Sequence, residues 1–534
     1  MSNTNDNNLD YVTNKMVKDA RGVSLCPYLI ALEGWRRGLK LEWFPSDSKE
    51  GNVKKEGNLN LPTKLYRLSS DKSEHFFFRS RGDEVSEEAI NICKNKEETK
   101  ERLKKNDVPT PEGKRFGNEA TIEEIIEYGL NLGFPIVVKP TNGSLGKGVI
   151  ANINNKSELE NAYNYVRYEL KYSDVIVEKY VNGSEHRVYV VGDKVIGAIK
   201  KLPPNVIGDG MSKIETLIKN KNTERLSNPH LSKRPIKIDY EVLNCIEEYG
   251  YNLNSIIKKD EQIFLRKKNS LSSGGDPVDS TDELSDNIKS IAVNAVASIP
   301  NLNQAGLDLI VDIDNDIGVV IELNGTAIIG SHVFPGKGQA RDIPSAIIDY
   351  YFPETINLEK SQLYFDFKSV KQVFENKIVN SLTLAPAPEG KLFTRKYIVT
   401  GKVQRVGYRQ WIRKQALKQG LNGYTKNLMN GKVVVVVASA NKQQLEDFKK
   451  VCLKGSVKSD VEKVTSHEWD RPLKLGFEIK SNMKAQPKKK NKQTKNMKNP
   501  NNQFISEEKY NAVINSRSWR YTSPLRTIIK KIKN

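Results

Sequence analysis

The sequence predicts a multidomain α/β protein, on three observations. From about residue 90 to Thr355, apolar runs of strand length alternate with segments of helical period, as in KEETKERLKK, TIEEIIEYGLNLGFPIVVKP and DIPSAIIDYYFPET. Between residues 391 and 482 the order strand–helix–strand occurs twice, the pattern of a split βαβ, ferredoxin-like unit. At 534 residues the chain has room for roughly three domains with cores large enough to fold alone.

In order along the chain, residues 1–89 carry short apolar runs (KLEWF, KLYRL, HFFFRS) between polar turns, which predicts a small N-terminal α/β lobe. Residues 90–355 form the main alternating unit, and 356–390, ending in TLAPAPEG, read as a linker. Residues 391–482 are the second compact unit. Residues 483–503 are rich in Lys and Asn with almost nothing to bury, so a disordered basic linker is expected there. Residues 504–534 regain apolar content and read as an amphipathic tail.

The net charge of +20 is unevenly distributed. From Lys484 to Asn534 there are fourteen Lys and Arg against Glu507 and Glu508, which leaves +8 on residues 1–483. A charged tail is not a folded basic face with interleaved aromatics, so nucleic acid is not the expected partner. Cys26, Cys93, Cys245 and Cys452 lie far apart without metal spacing and read as reduced buried thiols. The N-terminal residues lack a leader pattern, and no apolar run approaches the ~20 residues of a spanning helix. A cytoplasmic protein is expected.

Two segments look built for phosphate. In FPIVVKPTNGSLGKGV a strand delivers Lys139, then a loop holding Gly143, Gly146 and Gly148. A lysine and free backbone N–H groups suit nucleotide phosphates, although the spacing is not that of a P-loop. Downstream, VIVEKYVNGSEHRVYVV carries Glu178 and Glu185, and AGLDLIVD and VVIELNGTA bring Asp308, Glu322 and Asn324. Those three are hard oxygen donors on adjacent predicted strands, which suits Mg2+ (or Mn2+) bridging ATP phosphates.

Residues 85 to 355 resemble the ATP-grasp carboxylate–amine ligases. The motifs that carry the resemblance are CKNKEETK, VPTPEG, IVVKPTNGSLGKGV, VEKYVNGSEHRV, PPNVIGDGMSKIETLI, LRKKNSLSSGGDPVDSTDE and IELN, in that order. The similarity is to cyanophycin synthetases, to the ligase half of bifunctional glutathione synthetases and, more distantly, to D-alanine–D-alanine ligases. It implies an ATP-grasp fold of two subdomains beside the N-terminal lobe. It assigns Lys96 and Lys139 to the ATP phosphates, with the loop Gly143 to Gly148 over them. Glu178 and the backbone of Val181 would meet adenine, Glu185 the ribose, and Asp308, Glu322 and Asn324 the metal. Arg266 would lie near the carboxylate being activated. D-alanine ligases place an arginine just before the metal aspartate, where this chain has Gly306, so another group must stabilise the developing charge, and Arg266 is the expected one. The implied chemistry is transfer of the γ-phosphoryl of ATP to a carboxylate, then amide formation with an amine. The acceptor segment GTAIIGSHVFPGKGQAR departs from the relatives, so the small-molecule or peptide substrates do not transfer.

The second segment is GKVQRVGYR (Gly401 to Arg409), a loop entering a helix N-terminus. In the helix RQWIRKQALKQGL, Trp411, Ile412, Ala416 and Leu417 are expected to face inward. With QGLNGYTKNLMNGKVVV, this unit resembles acylphosphatase over nearly its whole length. The resemblance implies that the backbone of Gln404 to Arg409 and the Arg409 guanidinium bind phosphate, and that Asn427 positions the attacking water. Arg405 departs from the pattern, which has glycine there.

Three functions are compatible with these residues: a bifunctional ligase and acylphosphatase, an acylphosphatase with a nucleotide-binding but non-ligating region, and a ligase with an inactive binding module. In the tail, RSWRYTSPLR resembles a short C-terminal sequence of glycan-assembly enzymes. Lys530, Lys531 and Lys533 beside Leu525, Ile528, Ile529 and Ile532 read as a basic amphipathic helix, with a peripheral contact at the inner membrane face or with a glycan-assembly partner as the expectation.

Overall fold

The computed structural model describes residue 9 and residues 12–141, 148–388 and 390–481. Gly143, Gly146 and the tail lie outside the described residues, and so do the expectations placed on them.

The N-terminal lobe is a five-stranded sheet in the order Leu382–Thr383, Lys40–Phe44, Leu65–Ser69, Glu74–Phe78, Arg81–Gly82. Its helix Leu25–Arg36 (LCPYLIALEGWR) is apolar nearly all round, and every residue of it is buried. Such a helix needs partners on both sides. One is the sheet and the other is the returning chain: Phe365 meets Tyr28 edge-on at 5.1 Å and Trp35 at 5.6 Å. Residues 356–390, the expected connector, thus contribute a strand to the lobe's sheet, a helix (Phe367–Glu375) and several core aromatics.

The middle of the chain builds two antiparallel sheets. One has four strands in the order Gly113–Phe116, Val175–Lys179, Ile136–Pro140, Ile150–Ile153, covered by helices Ile122–Leu132 and Lys156–Asn164. The other has five, in the order Asp276–Asp279, Lys194–Leu202, Ser184–Val191, Gln304–Asp312, Ile317–Asn324. Helices Glu87–Lys94 and Asp286–Ala297 close its core. A small satellite lobe pairs Asn205–Ile207 with Gln262–Phe264 under helices Ile214–Ser227 and Tyr240–Glu248.

The last unit is a five-stranded sheet ordered Asp460–Glu468, Phe393–Lys402, Val433–Ser439, Asn422–Asn427, Phe477–Lys480, with helices Tyr408–Lys418 and Lys442–Lys454. Its strand VVVVVAS is apolar at both parities, the mark of a strand covered on both faces. Val433, Val435 and Val437 pack with Ile412 and Phe448 in the unit's own core. Val434, Val436 and Ala438 point the other way, into the core that also holds Trp43 and Phe365. A parallel pairing of Leu363–Tyr364 with Leu473–Lys474 ties the same edge. One expectation is corrected: Leu417 is exposed, because the helix turns Tyr408, Ile412 and Ala416 inward at four-residue spacing, which carries Leu417 off that face.

All four cysteines are free and buried. Among the described residues no helix is long and apolar enough to cross a membrane.

Candidate active sites

The strand Ile136–Pro140 delivers Lys139 beside Glu178 of the neighbouring strand, with Nζ 2.5 Å from Oε2. Lys100, from the helix Lys96–Lys105, reaches the other oxygen of Glu178 at 3.0 Å. Burial pushes the Glu178 carboxyl up, but the two ammonium groups outweigh it and hold it below its usual range. Lys96 opens the same helix after the N-cap Asn95. Burial lowers its ammonium pKa, Glu322 opposes that, and Lys139 adds to it. Lys96, Lys139, Glu178 and Glu322 therefore share one electrostatic neighbourhood, although they come from four separate elements. Val181 lies two residues beyond the end of the Glu178 strand. Gly148, at φ 77°, sits against the Pro140 ring, 3.1 Å from where a Cβ would stand.

On the five-stranded sheet Asp308 faces Glu322 across the Gln304–Asp312 and Ile317–Asn324 strands, and Gly306 faces Asn324. In this regular stretch of pairing Asp308, Glu322 and Asn324 share one face of the sheet, and the register shifts only beyond Asp308. Arg187, from the strand on the other side, forks onto Asp308 at 2.6 and 2.8 Å. Lys201 bridges Asp308 (2.7 Å) and Glu185 (2.5 Å). Burial would raise the Asp308 pKa, yet Arg187 and Lys201 together hold it down to about 2, so it is an anion at any physiological pH. The Asn324 amide oxygen accepts the Thr326 N–H at 3.0 Å, which fixes its orientation. Two carboxylates and an oriented amide oxygen are hard donors in the number that fits Mg2+ or Mn2+ sharing phosphate oxygens.

At Gly306 a Cβ would stand 2.4 Å from the Ala327 Cβ and 3.4 Å from the Arg187 Cδ. The space that an arginine on this strand would occupy is taken by Arg187 from the next one. Arg266 sits instead at the end of the satellite hairpin, where its guanidinium pairs with Asp239 at 2.5 Å and with Glu241. The structure groups Lys96, Lys139, Glu178, Glu185, Asp308, Glu322 and Asn324 around the two sheets, and holds Arg266 in this separate pair of ion bridges.

In the C-terminal unit the strand Phe393–Lys402 ends in a loop that enters the helix Tyr408–Lys418. Among the described residues, the backbone N–H groups of Gln404 to Arg409 have no protein acceptor. Gln404 ties the loop to the neighbouring hairpin, its Nε2 donating to the Leu428 and Lys432 carbonyls at 2.8 Å each. The Tyr408 hydroxyl donates to the Cys452 carbonyl at 2.8 Å and pins the helix start. Arg405 lies at φ 62° with its side chain exposed, so it keeps the left-handed backbone that glycine would take. Asn427 ends the strand Asn422–Asn427, and its Oδ1 is buried without a hydrogen-bond partner. Backbone N–H donors and a buried amide oxygen are the groups that can meet a phosphate and a water.

Sequence reasoning missed Arg187, Lys201 and Lys100. Arg187 stands in the quoted segment VIVEKYVNGSEHRVYVV and Lys201 on the next strand, Lys194–Leu202, and the available signal was their parity: each shares a sheet face with Asp308, which only the strand register reveals.

Residues 93–208 match the RimK-like ATP-grasp domain, and residues 395–479 match the acylphosphatase family. The chain is 33% identical over 273 residues to cyanophycin synthetase of Synechocystis sp., covering 49% of this chain and 31% of that protein. It is 32% identical over 294 residues to the glutathione biosynthesis bifunctional protein of Listeria monocytogenes, covering 53% and 38%. The chain thus spans about a third of the length of these curated relatives. Among solved structures it is similar to an acylphosphatase from Bacillus subtilis, with 30% identity, a TM-score of 0.16, and 17% of this chain and 98% of that one covered. The chain joins a RimK-like ATP-grasp domain to a C-terminal acylphosphatase domain of ferredoxin-like fold.

Proposed function

We propose that the protein is a bifunctional enzyme: an ATP-dependent ligase that activates a carboxylate as an acyl phosphate for amide formation, and an acylphosphatase that hydrolyses acyl phosphates. The observation that carries the ligase half is the pairing of Asp308 with Glu322 across two strands, with Asn324 beside them and the lysines 96, 139 and 201 converging on the same region. Lys96 and Lys139 would hold the phosphates of ATP, Glu185 the ribose, and Glu178 with the Val181 backbone the adenine. Asp308, Glu322 and Asn324 would hold a divalent cation, which supplies charge neutralisation on the phosphates. A substrate carboxylate oxygen attacks the γ-phosphorus, the bond to the β-phosphate oxygen breaks, and ADP leaves. An amine then adds to the acyl carbon, loses a proton, and expels phosphate. Positioning and fixed positive charge are most of what these steps ask of a protein. In this reading Arg187 stabilises charge where Gly306 supplies no side chain, and Arg266 approaches the carboxylate only if the satellite lobe closes.

The free N–H groups of Gln404 to Arg409 and the buried Asn427 Oδ1 support the hydrolase half. Arg409 and the loop would hold the phosphate, and Asn427 would accept a proton-bearing edge of the attacking water. The P–O bond to the acyl group breaks, and the carboxylate leaves with phosphate as co-product. The test is ADP release over a panel of amino acids, short peptides and uronic acids with candidate amines, run beside benzoyl phosphate hydrolysis. Lys139→Ala should stop the first and spare the second, and Arg409→Ala the reverse.

A further inference from the structure

The proposed ligase takes three substrates, and at neutral pH only the amine arrives as a cation. One carboxylate at the start of the acceptor segment is placed to meet it. Thr326 follows Asn324 by two residues and donates its backbone N–H to the Asn324 amide oxygen at 3.0 Å. The Thr326 hydroxyl accepts from Arg81 Nη1 at 2.5 Å and donates to Glu56 Oε1 at 3.3 Å. Glu56 Oε1 also lies 3.6 Å from Arg81 Nη1, while Glu56 Oε2 meets the Lys94 ammonium. Lys94 ends the helix Glu87–Lys94, and two residues on Lys96 opens the next. Glu56 is thus tied through Thr326 to the proposed metal ligand Asn324 and through Lys94 to the proposed phosphate ligand Lys96.

Residues 45–64 deliver this carboxylate, joining the strands Lys40–Phe44 and Leu65–Ser69 without a helix or strand of their own. Connections of that length inside a compact domain are mostly binding loops or covers. This one is anchored just before Glu56: Val53 packs with Phe44, Leu65 and Phe78, and the Lys54 carbonyl accepts from Arg81 Nη2. Lys54 Nζ pairs with Glu87 at 2.9 Å, which fastens the loop to the helix that carries Lys94. The inner side of Glu56 is closed, since Arg81 is 0% exposed and Thr326 7%. Its outer side is open. The Glu56 side chain is 22% exposed, and the Lys94 side chain that caps it is 55% exposed. An ion pair to so exposed a lysine is weak, so another ammonium can take its place. A second carboxylate or a phosphate would be repelled there, which leaves the amine as the substrate that fits.

We propose that the outer oxygen of Glu56 is the ammonium subsite for the acceptor amine of the ligase, and that the amine displaces Lys94 from it. The inference rests on the ligase reading. Lys94 supplies the probe, because n-butylamine reproduces its ammonium and four-carbon stem, with n-butanol as the uncharged control. The assay is hydroxamate formation by the full chain with ATP, Mg2+, the carboxylate panel and hydroxylamine, a nucleophile that is uncharged at neutral pH and has no need of Glu56. An amine held in the subsite competes with hydroxylamine, so n-butylamine should halve hydroxamate formation at a concentration where n-butanol has no effect. Glu56→Gln should raise that concentration about tenfold or more, the worth of one charged hydrogen bond. Lys94→Met removes the competing ammonium and should lower it by about threefold or more. A purely structural Glu56 would change the rate of hydroxamate formation without moving the half-suppressing concentration. Equal effects of n-butylamine and n-butanol, an unmoved concentration in Glu56→Gln, or a Lys94→Met chain that is not suppressed more easily overturns the subsite. Should Glu56→Gln fail to fold, Lys94→Met decides alone. If the wild-type chain forms neither ADP nor hydroxamate with any carboxylate, the ligase reading falls and the subsite with it. If it forms both and n-butylamine has no selective effect, the subsite falls and the ligase reading stands.

Discussion

Arg187 and Asp308 meet in a two-point fork, Nε to Oδ1 at 2.6 Å and Nη2 to Oδ2 at 2.8 Å, from neighbouring strands of the same sheet. The pair holds a carboxylate in one orientation at the centre of the proposed metal site, and it reaches that centre over the bare α-carbon of Gly306. Removing the arginine leaves a mostly buried anion with Lys201 alone. Arg187→Ala is expected to cost about 3 kcal/mol of stability and to abolish ADP release. Arg187→Lys should recover little of either, because a point charge cannot make the fork. Chemical denaturation and an ADP assay on the two variants decide it; a fully active Lys variant contradicts the orienting role.

The same network sets a pH dependence. The folded-state pKa of Asp308 is depressed from 3.8 to about 2, so its contribution is present above the unfolded value and is lost as pH falls through the folded one. The stability difference between wild type and Asp308→Asn should be flat from pH 7 to about pH 4, then shrink by about 2 kcal/mol toward pH 2. Urea titrations across that range measure it. A difference that shrinks between pH 7 and pH 5 would point to another group.

Arg405 gives a prediction of opposite sign. Its left-handed backbone is what glycine adopts without strain, and its exposed side chain makes no hydrogen bond among the described residues. Arg405→Gly should stabilise the chain by about 1 kcal/mol and leave benzoyl phosphate hydrolysis within a few-fold of wild type. A hydrolysis rate that collapses in this variant would show that Arg405 serves as a second phosphate cation.

Asn427→Ala and Arg409→Ala should each lower benzoyl phosphate hydrolysis by about 100-fold or more, since in the proposed reading each removes a polar contact to the reacting groups. Asn427→Ala should act mainly on kcat, because in the proposed reading its unpartnered Oδ1 orients the attacking water and Arg409 holds the phosphate. Steady-state kinetics separate the two, and a pure KM effect for Asn427→Ala would contradict its role.

The valine strand makes the two halves of the chain one structure. Val434, Val436 and Ala438 belong to the same core as Trp43 and Phe365. A chain ending at residue 388 should therefore expose apolar surface, bind a hydrophobic dye and melt below the full chain. Unchanged melting and no dye binding would contradict that packing.

Much of this was legible in the sequence because it lies in contiguous stretches. VVKP, IELN and GKVQRVGYR each put a charged or polar residue at the end of a run that can only be a strand or a loop entering a helix. What was not legible depends on which strands become neighbours. Arg187, Lys201 and Asp308 meet only because the Ser184, Lys194 and Gln304 strands pair in the observed register. The 356–390 segment reads as a connector because its pattern is mixed and ends in the Pro-containing TLAPAPEG, yet its aromatics fill the far side of a helix buried on all sides. Leu417 was misjudged for a smaller reason: the helix turns a four-residue stripe inward, one residue short of it.

The central claim is that one half of the chain makes acyl phosphates and the other destroys them. Trapping with hydroxylamine tests it most directly, since an acyl phosphate and hydroxylamine give a hydroxamate and phosphate. The full chain carrying Asn427→Ala, incubated with ATP, Mg2+, the carboxylate panel and hydroxylamine, should form hydroxamate in step with ADP. The same chain carrying Lys139→Ala as well should form none. No ADP above background with any carboxylate, or hydroxamate formed equally by both chains, contradicts the account.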